Sequence, residues 1–530
     1  MDSHPTMGRR LSLRARPYRL LWSIPWILLN GALSGLLGGM LLWGPLNASL
    51  TATLVAGSVV TVGATALWVL QERAVWRGEI AHARCMRRWL LGVPLSIVAL
   101  SMLVALVQLY TMGSLMPRGG DRVAEFERLW RALDRHYVYF DYKGVDWDAV
   151  YARYHPQVVA AEDDTAYFSA IYDMLAELQD GHTALQTPNV AFEGIHIFGF
   201  TGEMAGQAVV LRAGELAQAA GLEEGAVLLE VDGEPVEAVL DRWLAYIPQG
   251  SSPWHHRRRA YLHLLATFED SLSVTFEDPN GEVRSAVLRW DPEVGMAGLG
   301  SEQTPPITFQ RLPSGVGVIR ITDFNMGRGW GLVQEFDAAL DTMLDAPGII
   351  IDVRGHNGGF SVLGDMMAGR LFEEGFEYAR THFRTRLPQH AWRRWMAFRV
   401  IPRGVTYTGP VVLLINHSTY SSGEAFAVAL ADSGRAYVIG RRTAGATGNP
   451  VPFLLQGGRA RYSTGDFRRN DGSHLEGVGV APDLTVEWTV TAFRAGIDPD
   501  IEAAEAYLRP AAPWHVPPWH VPLSQQSDRD

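Results

Sequence analysis

Residues Ile415 to Gly448 read INHSTYSSGEAFAVALADSGRAYVIGRRTAGATG, and how this stretch is read decides the fold. The run that leads into it, Val411 to Ile415, is apolar and charge-free, the pattern of a strand buried on both faces. Small polar residues follow, and then helical spacing of apolar residues from Glu424 to Asp432. A strand, a turn and a helix place Ser421 at a helix N-terminus, among unpaired backbone N–H groups and the positive end of the helix dipole. An acyl-transfer site needs its nucleophile and oxyanion donors in such surroundings. Ser421-Ser422-Gly423-Glu424 also satisfies the S-x-x-E capping box, in which the hydroxyl only closes the helix. On this stretch alone both readings stand.

Toward the N-terminus the same alternation continues. GVGVIRI (315–321) precedes a helical run from Trp330 to Met343, and GIIIDVRGHNGGF (348–360) precedes a helix to Phe372. Continuous apolar strands alternating with helices predict a buried, largely parallel α/β core. Gly358-Gly359 falls between a strand end and a helix start. Unhindered backbone there either turns N–H groups toward an anion or simply makes a tight turn.

Composition narrows the function classes. The 530 residues carry a net charge of −11. Residues 1–88 hold ten arginines against Asp2, Glu72 and Glu79, a surplus of seven positive charges, so the remainder carries −18 and nucleic acid is not an expected partner. One cysteine, Cys85, excludes an intrachain disulfide framework and any Cys-rich metal site, and no cofactor or metal is expected. Lys143 is the only lysine, in a loop-like FDYKGVDW segment with nothing to suggest a catalytic role.

Three charge-free apolar stretches, Leu20 to Trp43, Thr51 to Leu70 and Trp89 to Met112, are each near the roughly 20 residues that span a bilayer. Arginines cluster before the first and between the second and third. The positive-inside rule therefore predicts a cytoplasmic N-terminus and an extracytoplasmic, periplasmic or extracellular body. Gly31, Gly35 and Gly39 offer the first span a smooth packing face.

From Asp121 three helical patterns follow, the last ending at Asp180-Gly181-His182-Thr183. Between about Ile195 and Trp290, short helix, Gly turns, β-rich runs and an Asp232-Gly233 hairpin turn suggest a separate module. Gly221, Leu222, Gly225, Val231, Asp232 and Gly233 resemble a PDZ domain, a fold that binds extended peptides by strand addition. The run His255-His256-Arg257-Arg258-Arg259 is expected to be a solvated helix face. The tail repeats PWHVP and reads as an extended Pro-rich, disordered segment, after a last ordered helix in GIDPDIEAAEAYL.

In this order, LQDGHT, the PDZ-like module, IIIDVRGHNGG, STYSSGE, IGRRTAG and LEGVGVAPD resemble the tail-specific or C-terminal processing proteases, relatives of the tricorn protease core, over residues 121 to 508. One branch of that family uses a serine with a lysine base about 25 residues later. Ala446 stands where that lysine would be. The tricorn-like branch uses serine, histidine and glutamate, and the resemblance assigns these roles to Ser421, His182 and Glu476. It also assigns an oxyanion hole to the backbone N–H of Ser422 with that of Gly358 or Gly359. Tricorn has an acidic residue where this chain has Ser422. His417, His356 and His474 are rival bases, and Glu424 could take Ser421 as a cap.

The expected architecture is an α/β catalytic core with an N-terminal helical subdomain and an inserted PDZ-like β-rich module, preceded by three transmembrane helices. The boundaries are a membrane anchor at 1–116, the helical subdomain at 117–190, the PDZ-like module at 195–290, the protease core at 300–508 and the tail at 509–530. The expected function is a membrane-anchored serine endopeptidase acting on polypeptide. A non-catalytic peptide- or apolar-ligand-binding scaffold on the same fold is the alternative.

Overall fold

The computed structural model describes residues 121–188, 194–299, 305–325, 327–384 and 395–509. The three apolar stretches and the PWHVP tail lie outside them. Among the described residues no helix is long and apolar enough to cross a membrane.

The chain begins with a helical layer: α1 (Arg122–His136), α2 (Phe140–Lys143), α3 (Trp147–Ala160) and α4 (Asp164–Ala176). Asp121, Asp146 and Asp163 cap α1, α3 and α4, each side chain accepting a backbone N–H of the first turn. Their aromatic stripes, with Phe126, Tyr137 and Phe168 fully buried, form one core that also takes in Leu455, Ala460 and Tyr462 from much later in the chain. Those residues sit on a late hairpin, 450–463, whose second strand pairs with residues 184–186 just after α4.

β1 (Ala184–Gln186) and β2 (His196–Ile197) lead into an antiparallel sheet of β3 (Gly199–Met204), β4 (Gln207–Ala213), β5 (Val227–Val231), β8 (Ser271–Glu277) and β9 (Val283–Arg289), in that spatial order. β6 (Glu234–Pro235) pairs with β5 across the Asp232-Gly233 turn, and β7 (Ala266–Thr267) pairs with β2. The helices α5 (Glu215–Ala219), α6 (Val236–Tyr246) and α7 (Pro253–Tyr261) complete this module, which has its own core around Val210, Leu240 and Phe276.

The remaining chain builds the α/β core. Its sheet runs β10 (Ile307–Arg311), β11 (Gly317–Ile321), β12 (Ile349–Asp352), β15 (Val411–Ile415), β16 (Tyr437–Gly440) and β20 (Leu484–Thr485). All neighbours pair in parallel except β10, an antiparallel edge. Side chains alternate between two cores, as the period of a strand requires. Val411, Leu413 and Ile415 face α8 (Trp330–Asp341), α9 (Ser361–Ala368) and α10 (Ser422–Ala431), whereas Val412 and Leu414 face Ala504 and Leu508 on the C-terminal helix. Burial on both faces is why these strands read as unbroken apolar runs.

A smaller sheet orders β14 (Trp395–Val400), β13 (Phe376–Phe383) and β19 (Gly465–Arg469), and β17 (Pro450–Leu455) and β18 (Gly458–Ser463) form the hairpin that joins β1. The helices α11 (Val490–Arg494) and α12 (Pro499–Leu508) close the described chain. Arg354, just past β12, bonds Asp352 at 2.8 Å, Asp498 at 2.7 Å and Asp500 at 2.8 Å, and so ties the loop after β12 to the start of α12. The loops after β12 and β15, at the C-terminal ends of adjacent parallel strands, hold the glycine pair and Ser421 respectively. Open α/β sheets bind ligands at that edge.

Candidate active site

Ser421 stands between β15 and α10 with φ 57° and ψ −123°, a left-handed region that residues with side chains rarely occupy. The strain turns its hydroxyl toward His182, whose Nε2 is 3.0 Å from Ser421 Oγ. Its backbone N–H, meanwhile, donates to Ala446 O at 3.1 Å and toward Glu424 Oε2 at 3.3 Å. Ser421 therefore serves both readings: it forms the capping box with Glu424, whose side chain takes its amide, and its hydroxyl faces the imidazole.

His182 follows α4 and is buried, 3% exposed. Its backbone N–H donates to Asp180 Oδ1 at 2.9 Å, and its ring stacks on Tyr420, centroids 4.4 Å apart. Tyr420 in turn donates its hydroxyl to Gly181 O at 2.7 Å, and Gly181 N–H donates to Ser251 Oγ at 2.9 Å. Burial pushes the imidazole pKa down to about 4, against the pull of Asp180, with Arg461 and Lys143 lowering it further. At neutral pH the ring is uncharged and able to accept a proton. When Nε2 accepts, the ring's own proton sits on Nδ1, which is buried with no hydrogen-bond partner among the described residues.

Glu476 is fully buried and does not hydrogen-bond His182. Its Oε1 accepts from Lys143 Nζ at 2.7 Å, and its Oε2 accepts the Thr447 N–H at 3.0 Å. Burial, then the charge of Asp180, pushes its pKa up to about 7, while Lys143 opposes the rise. The expectation that Lys143 has no part in the site is corrected here. The chain's one lysine is 333 residues from Glu476 in sequence, so no local pattern could pair them. Asp180, quoted in DGHT but given no role by sequence reasoning, completes the cluster. Burial alone would raise its pKa, yet Lys143 and His182 hold it below the usual carboxylate value.

Of the three expected oxyanion donors, Gly358 has its N–H engaged, donating to His356 Nδ1 at 3.0 Å. The N–H groups of Gly359 and of Ser422, the first residue of α10, have no such partner among the described residues. Both glycines are required by packing. A Cβ on Gly358 would lie 2.7 Å from Ser421 Cβ, and one on Gly359 would lie 2.3 Å from Phe324 O.

The rival bases are occupied elsewhere. His417 Nδ1 bonds Arg442 O at 2.7 Å, His356 serves Gly358, and His474 bonds Asp466 at 2.9 Å while stacking on Tyr142. Ala446, standing at the other branch's lysine position, is buried, and Glu424 grips its loop by accepting from Gly445 N at 2.7 Å, Ala446 N at 2.8 Å and Thr443 Oγ1 at 2.6 Å. The His255–Arg259 run is also corrected. It lies in α7, with His255 buried and the arginines half-buried, because Ser252 Oγ and Trp254 Nε1 dock the helix on Ala444 O and Thr443 O at 2.6 and 2.7 Å.

Residues 315–486 match Peptidase family S41, and residues 121–176 match the Tricorn protease C1 domain. The chloroplastic C-terminal processing peptidase of Tetradesmus obliquus is 23% identical over 380 residues, covering 68% of this chain and 76% of that protein. The chloroplastic carboxyl-terminal-processing peptidase 3 of Arabidopsis thaliana is 23% identical, covering 67% of each. The structure of mature CPAF complexed with lactacystin shares the fold at a TM-score of 0.58 and 16% identity, over 73% of this chain and 97% of that one. A strained serine beside a neutral histidine, on a chain similar over residues 315–486 to Peptidase family S41, marks the protein as a serine-type peptidase.

Proposed function

We propose that the chain is a membrane-anchored serine endopeptidase that cuts extracytoplasmic polypeptides through an acyl-enzyme on Ser421. The observation that carries this reading is the 3.0 Å approach of a neutral His182 Nε2 to Ser421 Oγ. Ser421 Oγ attacks the scissile carbonyl carbon as its proton passes to His182 Nε2. The carbonyl oxygen, now carrying the charge, is received by the N–H groups of Ser422 and Gly359. His182 then gives its proton to the leaving amine, and a water, deprotonated in its turn by His182, releases the acyl group.

Asp180 acts in this scheme through charge, and Glu476 by pairing with Lys143. The imidazolium forms in a buried site that by itself disfavours it, and the Asp180 carboxylate offsets part of that penalty. Lys143 holds Glu476 in place and favours its ionised form. The module at 195–290, read as PDZ-like, presents the polypeptide by strand addition. Anchoring rests on the three apolar stretches and the arginines that flank them.

A fluorophosphonate tests the reading directly. The full chain is expected to be labelled at Ser421, and His182→Ala is expected to abolish labelling. Labelling that persists in His182→Ala would reject the base.

A further inference from the structure

Arg354 opens the loop that carries Gly359, and all five N–H donors of its guanidinium are engaged. Nε and Nη2 donate to the two oxygens of Asp352 at 2.9 and 2.8 Å. Nη1 and Nη2 donate to the two oxygens of Asp498 at 2.9 and 2.7 Å, and Nη1 also donates to Asp500 Oδ2 at 2.8 Å. Asp352, Arg354 and Asp500 are all buried. Asp500 is shared: Arg441, just past β16, donates to both of its oxygens at 3.0 Å, and Trp488 Nε1 donates to Oδ2 at 3.0 Å. One buried carboxylate at the start of α12 therefore holds the roots of two loops.

Those two loops flank Ser421. From Arg354 the chain passes Gly355, whose N–H donates to Asn416 Oδ1 at 3.0 Å, and His356, whose carbonyl accepts the Tyr420 N–H at 3.0 Å. It then pairs with the segment after β11: Asn357 N–H donates to Thr322 O at 2.9 Å, Phe324 N–H to Gly358 O at 2.8 Å and Phe360 N–H to Phe324 O at 2.9 Å. From Arg441 the chain reaches Ala446, whose carbonyl accepts the Ser421 N–H at 3.1 Å. Of the two oxyanion donors, Ser422 is carried by a helix, but Gly359 is carried by a loop in which Gly355, Gly358 and Gly359 have φ of 74°, 91° and 126°. Glycine backbone is the freest of any residue, so such a loop holds its aim only if anchored. Desolvation offsets much of the attraction in a buried ion pair, whereas a planar fork with every donor engaged fixes orientation.

We propose that Asp498 and Asp500, on the C-terminal segment, are positioning residues for the oxyanion hole. They act through Arg354 on the aim of the Gly359 N–H, and Asp500 acts through Arg441 on the loop that ends at Ala446. This inference rests on the proposed function, which supplies the oxyanion.

Saturation kinetics of fluorophosphonate labelling test this in the full chain. They separate reagent binding, KI, from the bond-forming step, kinact, in which an oxygen gains charge facing the oxyanion donors. Arg354→Lys keeps the charge but loses the fork, and should lower kinact by about 10- to 100-fold while KI changes less than about twofold. Asp498→Asn weakens two of the five bonds at a carboxylate that is 33% exposed, and should lower kinact by about 3- to 10-fold. The acid limb of labelling should not move in either variant. Asp337→Asn is the control: Asp337 pairs with Arg403 at 2.7 Å and Arg370 at 3.0 Å and with neither loop, so its loss should lower Tm and leave kinact unchanged. A kinact within about twofold of the unsubstituted chain in folded Arg354→Lys or Asp498→Asn, or an equal fall in Asp337→Asn, overturns the positioning role. If circular dichroism shows Arg354→Lys unfolded, Asp498→Asn decides alone. No labelling of the unsubstituted chain removes the proposed function and this inference with it, whereas labelling that ignores the substitutions removes only the inference.

Discussion

Two buried glutamates flank the Ser421–His182 pair, and they are satisfied in opposite ways. Glu424, on α10, is held by neutral donors: the N–H groups of Gly445 and Ala446, the Thr443 hydroxyl and, more distantly, the Ser421 amide. Burial pushes its pKa up to about 8. Glu476 has fewer neutral donors but meets the chain's one lysine, and it stays nearer 7 despite the adjacent Asp180. The first carboxylate is a clamp that shapes the loop beneath Ser421. The second is one member of a charged cluster whose state the histidine can sense. The contrast teaches that a buried carboxylate satisfied by amides fixes geometry, whereas one satisfied by a cation can tune a proton transfer.

The largest effect should come from the clamp. Glu424→Ala leaves the Gly445 and Ala446 amides and the Thr443 hydroxyl without their acceptor, and it should destabilise the core by roughly 3–5 kcal/mol in urea unfolding. A loss below about 1 kcal/mol would mean the loop is held by other contacts. Lys143→Met should lower kcat/KM at pH 7 by about 10- to 100-fold, the usual range for removing a partner that orients a site group. The pH profile is the sharper readout. Glu476 ionises as pH rises through about 7, and His182 is already neutral above about 4, so the acid limb of kcat/KM should lie near 7. Removing Lys143 raises the Glu476 pKa and moves that limb to higher pH, and Lys143→Arg should move it back. An acid limb near 4 in the unsubstituted enzyme would show that only the histidine titrates in the rate.

Smaller effects probe the frame around the pair. Tyr420→Phe keeps the ring beneath His182 but loses the bond to Gly181 O, so kcat/KM should fall by roughly 3- to 10-fold, one hydrogen bond's worth. Ser422→Ala should change kcat/KM by less than about twofold, because the oxyanion needs only its backbone N–H. Its hydroxyl is buried without a partner, so thermal stability should be unchanged or slightly raised.

Much of this was legible from residue order. The unbroken apolar runs at 349–352 and 411–415 announced strands covered on both faces, and the small polar turn after the second announced Ser421. Glu424 could be seen as a partner of Ser421 because a capping box is a local device. Gly358 and Gly359 looked equivalent, and they diverged only when His356 claimed one amide. The arginines of α7 looked like a solvated face because a run of charge says nothing about what docks on the helix that bears it.

By itself, then, the sequence determined the alternation of the core, the position of Ser421 at a helix start and the absence of a lysine at residue 446. These follow from local spacing, where neighbouring residues carry the physical constraint. The tertiary structure decided which histidine reaches Ser421 and that Glu476 meets Lys143 and not His182. Each of these contacts joins segments far apart in the chain, and it forms because the helical layer shares its core with the β17–β18 hairpin and α7 docks on the loop gripped by Glu424.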